Sequence, residues 1–249
     1  MKVVLDERKL KRMATLSRIA LFGSVGILFG GLLLTLFGPQ LGLLTPERSG
    51  LFFLLYTLIL FSGFAVSRVG FYFGNRYLSP SRPDVLLRES LKGLDRKYAL
   101  LIFHPPTPYM LIEPGGVTVF VTRNQEGKVR FANGKWQRRE SLLRMWLGRE
   151  EALGDPLVEL NAEIAKVNEW LKQRLPDLTI PVRGIIVFTH PRVVLDVEPS
   201  PVPILAADEL KDYLRGAGRW KDLPASIQRK MREALGAPEL TRAEHNQPK

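Results

Sequence analysis

The chain is predicted to be an α/β protein: a mixed β-sheet with antiparallel hairpins, covered by helices and preceded by a two-helix transmembrane hairpin. Three observations carry this. Two long apolar runs without charge stand near the N-terminus. Between 98 and 136, short apolar or alternating stretches are separated by Pro, Gly and Asn-Gly breaks. An apolar repeat at spacings of three and four, from 157 to 171, leads into a buried-strand pattern at 181–188.

The runs are residues 19–37, "IALFGSVGILFGGLLLTLF", and 51–67, "LFFLLYTLILFSGFAVS". A helix crosses the hydrocarbon of a bilayer with ~20 apolar residues, and ~17 is near the lower limit. Arg68 can snorkel to the interface behind the second run. A cleavable signal peptide does not fit, because the first run is too long, lacks a small-x-small site and is followed at once by the second. The external loop 38–50 is short, so the spans form a hairpin. Gly26 and Gly30 make a GxxxG, extended by Gly31, and are expected to pack the spans together or a second copy against them.

Residues 1–18 carry Lys2, Arg8, Lys9, Lys11, Arg12 and Arg18, and Arg68, Arg76 and Arg82 follow the second span. The loop has only Glu47 and Arg48. Positive flanks stay inside, so a cell-membrane protein with both termini cytoplasmic is expected. Residues 1–18 form a basic tail, and 68–83 a linker ending in "YLSPSRP".

Pro83 and Asp84 open a helix with Val85, Leu86, Leu87, Leu91 and Leu94. Strands follow at 98–104 and 109–113. The stretch "PGGVTVFVTRNQEGKVRFANGKW", 114–136, reads as strand, turn, strand, tight turn, strand, with Val117, Val119 and Val121 on one face. Asn133-Gly134 is a type I′ hairpin signal. Asp155 and Pro156 supply an N-cap and first helical position for the amphipathic helix of Leu157, Leu160, Ile164, Val167 and Leu171. A buried strand at 181–188, short strands in "RVVLDV" and "PVPIL", and a helix at 207–215 closed by Gly216 complete a domain of 84–216. Residues 217–249 are expected to be a C-terminal amphipathic helix, with Ile227, Met231 and Leu235 on one side, and a polar tail.

The formal charge is +11, from 36 basic and 25 acidic residues. Residues 1–76 hold nine basic and three acidic residues, so more than half the excess belongs to membrane topology, not to a nucleic-acid partner. With no cysteine there is no disulfide and no thiolate metal site.

The helix "DVLLRESLKGL", then "LIEPGGVTVFVTRNQEGKV", "DPLVELNAEIAKVNEWL" and "VRGIIVF" resemble, in that order over roughly 82–190, the nuclease-related domain (NERD) family of the PD-(D/E)xK nuclease-like fold. The resemblance implies metal-dependent cleavage by a helical acid, an Asp before the second strand, a Glu-x-Lys ending the third, and a Gln on the next helix. Position by position, this chain departs from that pattern. Asp84 stands for the helical acid, Pro108 for the Asp, Val121 for the Glu, Arg123 for the Lys and Glu159 for the Gln. Magnesium needs oxygen ligands in near-octahedral array, which proline and valine side chains lack. Arginine, unlike lysine, does not release its proton. No catalytic residue, metal or cofactor is therefore expected. Magnesium enters only if the site has migrated to Asp84, Glu113 or Glu126, whose plainer reading for the two glutamates is solvated turn residues.

From 123 to 149, Arg123, Lys128, Arg130, Lys135, Arg138, Arg139, Arg144 and Arg149 face only Glu126 and Glu140. This basic segment is a solvated edge, a phosphate-binding surface for nucleic acid, or a contact for anionic lipid headgroups. Residues 141–149, "SLLRMWLGR", suit a core connector or a membrane interface. His104, His190 and His245 lack metal-ligand spacing. The sequence thus points to a membrane-tethered, non-catalytic binding or scaffold module whose first ligand is a polyanion. An active nuclease and a structural membrane protein with a protein partner are its rivals.

Overall fold

A computed structural model describes residues 1–38, 40, 42, 49–78, 82–138 and 153–238. Its Cα packing separates Met1–Glu7 with Pro83–Lys249 from Arg8–Arg82. The second of these units is made by α1 (Glu7–Phe37) and α2 (Ser49–Tyr77), both long and apolar enough to cross a membrane. At 1.5 Å per residue, the 31 residues of α1 reach about 46 Å, beyond a hydrocarbon core of about 30 Å. Both helices overrun the apolar runs. Residues 7–18 of the basic tail and most of the linker are helical, because "ERKLKRMATLSR" consists largely of helix formers with Glu7 favourably placed in the first turn.

Of the expected glycines only Gly31 brings the two helices together, and Gly63 and Gly70 join it from α2. A Cβ on Gly31 would lie 2.7 Å from Ile59 Cγ2, one on Gly63 2.7 Å from Leu28 Cδ2, and one on Gly70 3.0 Å from the Leu21 backbone nitrogen. Gly26 and Gly30 meet no described atom within 4 Å. The GxxxG points away from the helix pair, and Gly31 alone of that face serves the contact.

The other unit is a mixed α/β fold. Its six-stranded sheet runs β1 (Lys2–Leu5), β2 (Ala99–Ile102), β3 (Tyr109–Glu113), β4 (Gly116–Arg123), β7 (Val182–Phe188), β9 (Ile204–Ala206). A second sheet of three strands places β5 (Gly127–Ala132) between β6 (Lys135–Arg138) and β8 (Val193–Val197). β2–β3 and β3–β4 are antiparallel, the latter joined by the two residues Pro114-Gly115. β4 and β7 are parallel over their whole paired length, from Val117↔Val182 to Arg123↔Phe188. β4 and β5 do not form the hairpin read from 114–136. The neighbour β5 would have taken is already β7, and the chain after Arg123 turns into the second sheet. The β5–β6 hairpin is as read, with Asn133 and Gly134 at φ 52° and 72°.

α4 (Pro156–Arg174) makes the crossover between the sheets. Asp155 caps it, accepting from the Leu157 and Val158 amides at 3.0 and 3.3 Å. Its Leu160, Val167 and Leu171 bury against Val117, Val119 and Val121 on β4 and against Ile186 and Phe188 on β7. Each side chain so buried contributes about 1.5–3 kcal/mol relative to an exposed one. Phe131, Trp136 and Phe188 join the two sheets with ring centroids 4.8 and 5.9 Å apart. Three shorter helices lie among the described residues of this unit: α3 (Pro83–Ser90), α5 (Leu210–Arg215) and α6 (Ala225–Ala234). Met231 of α6 and Leu235 after it are in the same core, so the described part of 217–249 belongs to this unit.

β1 was not visible in the basic tail. It pairs in parallel with β2, Lys2↔Ala99 to Leu5↔Ile102, and the Met1 amine donates to the Leu94 carbonyl at 2.7 Å. Val4 packs against the core. Replacing Val4 by Asp is expected to undock β1, lower the apparent melting temperature of the full chain and speed hydrogen exchange of the Leu100–Ile102 amides. Unchanged exchange at those amides would show that β1 does not hold the sheet edge.

Candidate functional site

Folding brings several of the nuclease-like positions to one end of the six-stranded sheet. The register Met110↔Val119, continued by two residues, puts Pro108 level with Val121, and Arg123 ends the same strand. Glu159, in the first turn of α4, reaches that end. Val121 is 2% exposed and part of the core, so this position is filled by packing. Arg123 and Glu159 are an ion pair at 2.6 Å, and Arg123 also donates to the Leu153 and Thr122 carbonyls at 3.1 and 3.0 Å. Arg123 and Glu159 therefore neutralise each other. Asp84 is buried in the first turn of α3. Among the described residues no three His, Asp or Glu side chains converge as a metal site would require.

Glu113 is no solvated turn residue. It is 2% exposed, at the end of β3 opposite Gly116, five residues along the ladder from Val121. At ~3.3 Å per residue that is about 17 Å, too far to join the nuclease-like positions. Arg183 of β7 grips its carboxylate with one guanidinium nitrogen, 2.9 and 3.1 Å from the two oxygens, and the Thr118 hydroxyl donates to it. Arg183 also donates to Thr118 Oγ1 at 2.8 Å and to the Gly218 carbonyl, and lies over the Trp220 ring at 4.8 Å. Burial pushes the Glu113 carboxyl above its ordinary value, against Arg183, Thr118 and Trp220, which pull it down. This cluster staples segment 218–221 onto the sheet. Gly115 permits the close approach, since a Cβ there would strike Trp220 and the Lys221 carbonyl. Glu126 is ion-paired with Arg192 at 3.0 Å.

The expected polyanion-binding residues do not form one surface. In the β6–β5–β8 sheet, the registers put Lys128, Arg130 and Lys135 on one face with Asp196. Arg138, opposite Val129, is on the other face, where its guanidinium donates to the Glu126 carbonyl at 2.9 Å. Phe131 and Trp136 also turn inward. Arg123 is in the other sheet, held by Glu159. Arg139 and the segment 141–149 lie outside the described residues. On the exposed face, Lys128 pairs with Asp196 at 2.9 Å, and Arg130 approaches Asp196 at 3.9 Å and Glu198 at 3.4 Å. Lys128 draws the Asp196 carboxyl below its ordinary value.

A cleft of about 590 Å³ opens at the Glu113 end of the six-stranded sheet. Residues 93–98, Pro114, Arg215 and the segment around Arg219 and Asp222 line it. The Tyr98 hydroxyl is raised by burial and then by Glu113, while Arg219 lowers it. More than a hundred residues separate Arg96 from Arg215, so no linear motif announces this cleft.

Comparison with protein-family models, curated proteins and solved structures finds no match for this chain.

Glu113→Ala or Arg183→Ala is expected to cost about 3–5 kcal/mol by leaving a buried charge alone. The double variant should cost clearly less than the sum, read from a double-mutant cycle of unfolding. Additive losses would mean that the two side chains act independently.

Proposed function

We propose that this chain is a membrane-anchored binding module without nuclease chemistry, held at the cytoplasmic face of a cell membrane by α1 and α2. The carrying observation is the Arg123–Glu159 pair, closed beside Val121 and Pro108, which bring no oxygen ligand to the positions where the resembled nucleases hold metal. An even number of crossings is supported by the chain's own connectivity. Residues 1–7 and the chain from 83 on belong to one folded unit, although both helices intervene. Basic residues flank that connection on both sides, which favours the cytoplasmic side.

The ligand proposed first is nucleic acid or another polyanion, taken up by the exposed face of Lys128, Arg130 and Lys135. The carboxylate partners of Lys128 and Arg130 sit on a solvated surface, where ion pairs are weak and a phosphate can replace a carboxylate at little cost. Such binding is sequence-independent and falls steeply with salt.

The test uses the full chain in nanodiscs of neutral lipid, because residues 2–5 are part of the fold. Labelled single- and double-stranded DNA is offered with magnesium, with manganese and with chelator, over a salt series. Binding without cleavage is expected. The triple variant Lys128→Glu, Arg130→Glu, Lys135→Glu should lose at least about tenfold in affinity and reduce the salt slope by about two to three. Metal-dependent cleavage abolished by Asp84→Asn would overturn the non-catalytic reading. Absence of binding at low salt would overturn the polyanion reading and leave a scaffold with a protein partner.

A further inference from the structure

We infer that the cleft at the Glu113 end of the sheet is an anion site for the phosphate ester of a small soluble molecule. Lys128 and Arg130 of β5 are engaged by Asp196 of β8 and by Glu198 just after it. By contrast, neither Arg96 nor Arg219, which line the cleft, has an ion-pair partner among the described residues. Arg215 is fixed at the rim by donating to the Gly93 carbonyl at 2.6 Å. Three guanidinium groups drawn from two distant segments thus line one concavity, and the guanidinium fork matches phosphate bidentately.

The size and the remaining lining choose among phosphate-bearing ligands. A volume of about 590 Å³ falls within the range of ~300–1,000 Å³ typical of small-molecule sites. Asp95 and Asp222 line the same cleft as the arginines. Carboxylates there repel a continuous run of phosphates, as in nucleic acid, but accept hydrogen bonds from sugar hydroxyl or amino groups. The Tyr98 hydroxyl adds a group that can donate or accept. The ligand class is therefore a small phosphomonoester with hydroxyl or amino donors.

Two sources could present that chemistry, a soluble metabolite or a lipid headgroup. The carboxylates of Asp95 and Asp222 in the same lining favour the soluble one, because they repel the dense negative charge of an anionic lipid surface.

This site is independent of the hairpin face, and the experiment separates the two. Full chain in neutral nanodiscs is titrated calorimetrically with inorganic phosphate, adenosine 5′-monophosphate and adenosine. Capture by vesicles with and without a phosphoinositide is measured in parallel. Saturable binding of the monophosphate but not of adenosine is expected. It should weaken about tenfold for each of Arg96→Gln and Arg219→Gln, and stay unchanged in Lys128→Glu/Arg130→Glu. Both arginines are exposed, so an unchanged melting temperature checks that the variants fold. Equal binding by wild type and the Arg96→Gln/Arg219→Gln variant, or no saturable binding of either phosphate probe at millimolar concentration, would overturn the site. Capture by phosphoinositide vesicles without binding of the soluble probes would overturn the soluble source.

Discussion

The parallel ladder between β4 and β7 is the constraint on which the mixed α/β unit rests. Both strands are buried through most of their length, so neither tolerates an unpaired backbone group, and each supplies the other's hydrogen bonds. A parallel pair cannot be joined by a tight turn. The chain has to leave the sheet after Arg123 and return before Val182. That detour holds the β5–β6 hairpin and α4, which then covers the ladder it connects. The second sheet is a consequence of the first. Once β7 occupies the edge of β4, the strand after Asn124 has nowhere in that sheet to go.

Charge in the described fold follows a division by burial. Where an arginine goes inside, it takes a carboxylate or carbonyls with it: Arg183 takes Glu113, Thr118 and Gly218, Arg123 takes Glu159 and Leu153, and Arg232 takes the carbonyls of Lys97 and Pro238. These contacts join segments far apart in the chain, so they specify which loop lies on which strand. The end of β4 obeys the same logic: beside the buried Val121, Arg123 and Glu159 balance each other's charge.

What the sequence made legible was whatever is encoded locally. The two apolar helices, the Asp155-Pro156 helix start, the Asn133-Gly134 turn and the strand at 182–188 each follow from residue types within a few positions of one another. The misreadings concern partners. Nothing in "KVVL" distinguishes an edge strand from a basic tail, because its partner β2 is almost a hundred residues away. Glu113 before a Pro-Gly-Gly turn looks solvated until Arg183 and Trp220 are folded over it. The cluster of arginines and lysines from 123 to 139 looks like one patch because charge was counted along the chain, whereas alternation sends Arg138 inward and a change of sheet takes Arg123 away. The GxxxG misled for a similar reason: helix rotation is set by the partner's side chains, and here Ile59 meets Gly31.

The place of β1 makes the pair of long apolar helices an insertion within the α/β unit. The first strand of the sheet leaves the ribosome well before its neighbour β2, with both apolar helices synthesised between them. The Met1–Leu94 contact closes a loop of 93 residues. Loop closure of that length is entropically expensive for a free chain, though the cost grows only slowly with length. Bilayer insertion of α1 and α2 would shorten the effective loop by returning the chain to the side from which it entered. Completion of the sheet edge would then report that the helix pair is in place, so that maturation of the α/β unit and placement of its inserted helices become one coupled event.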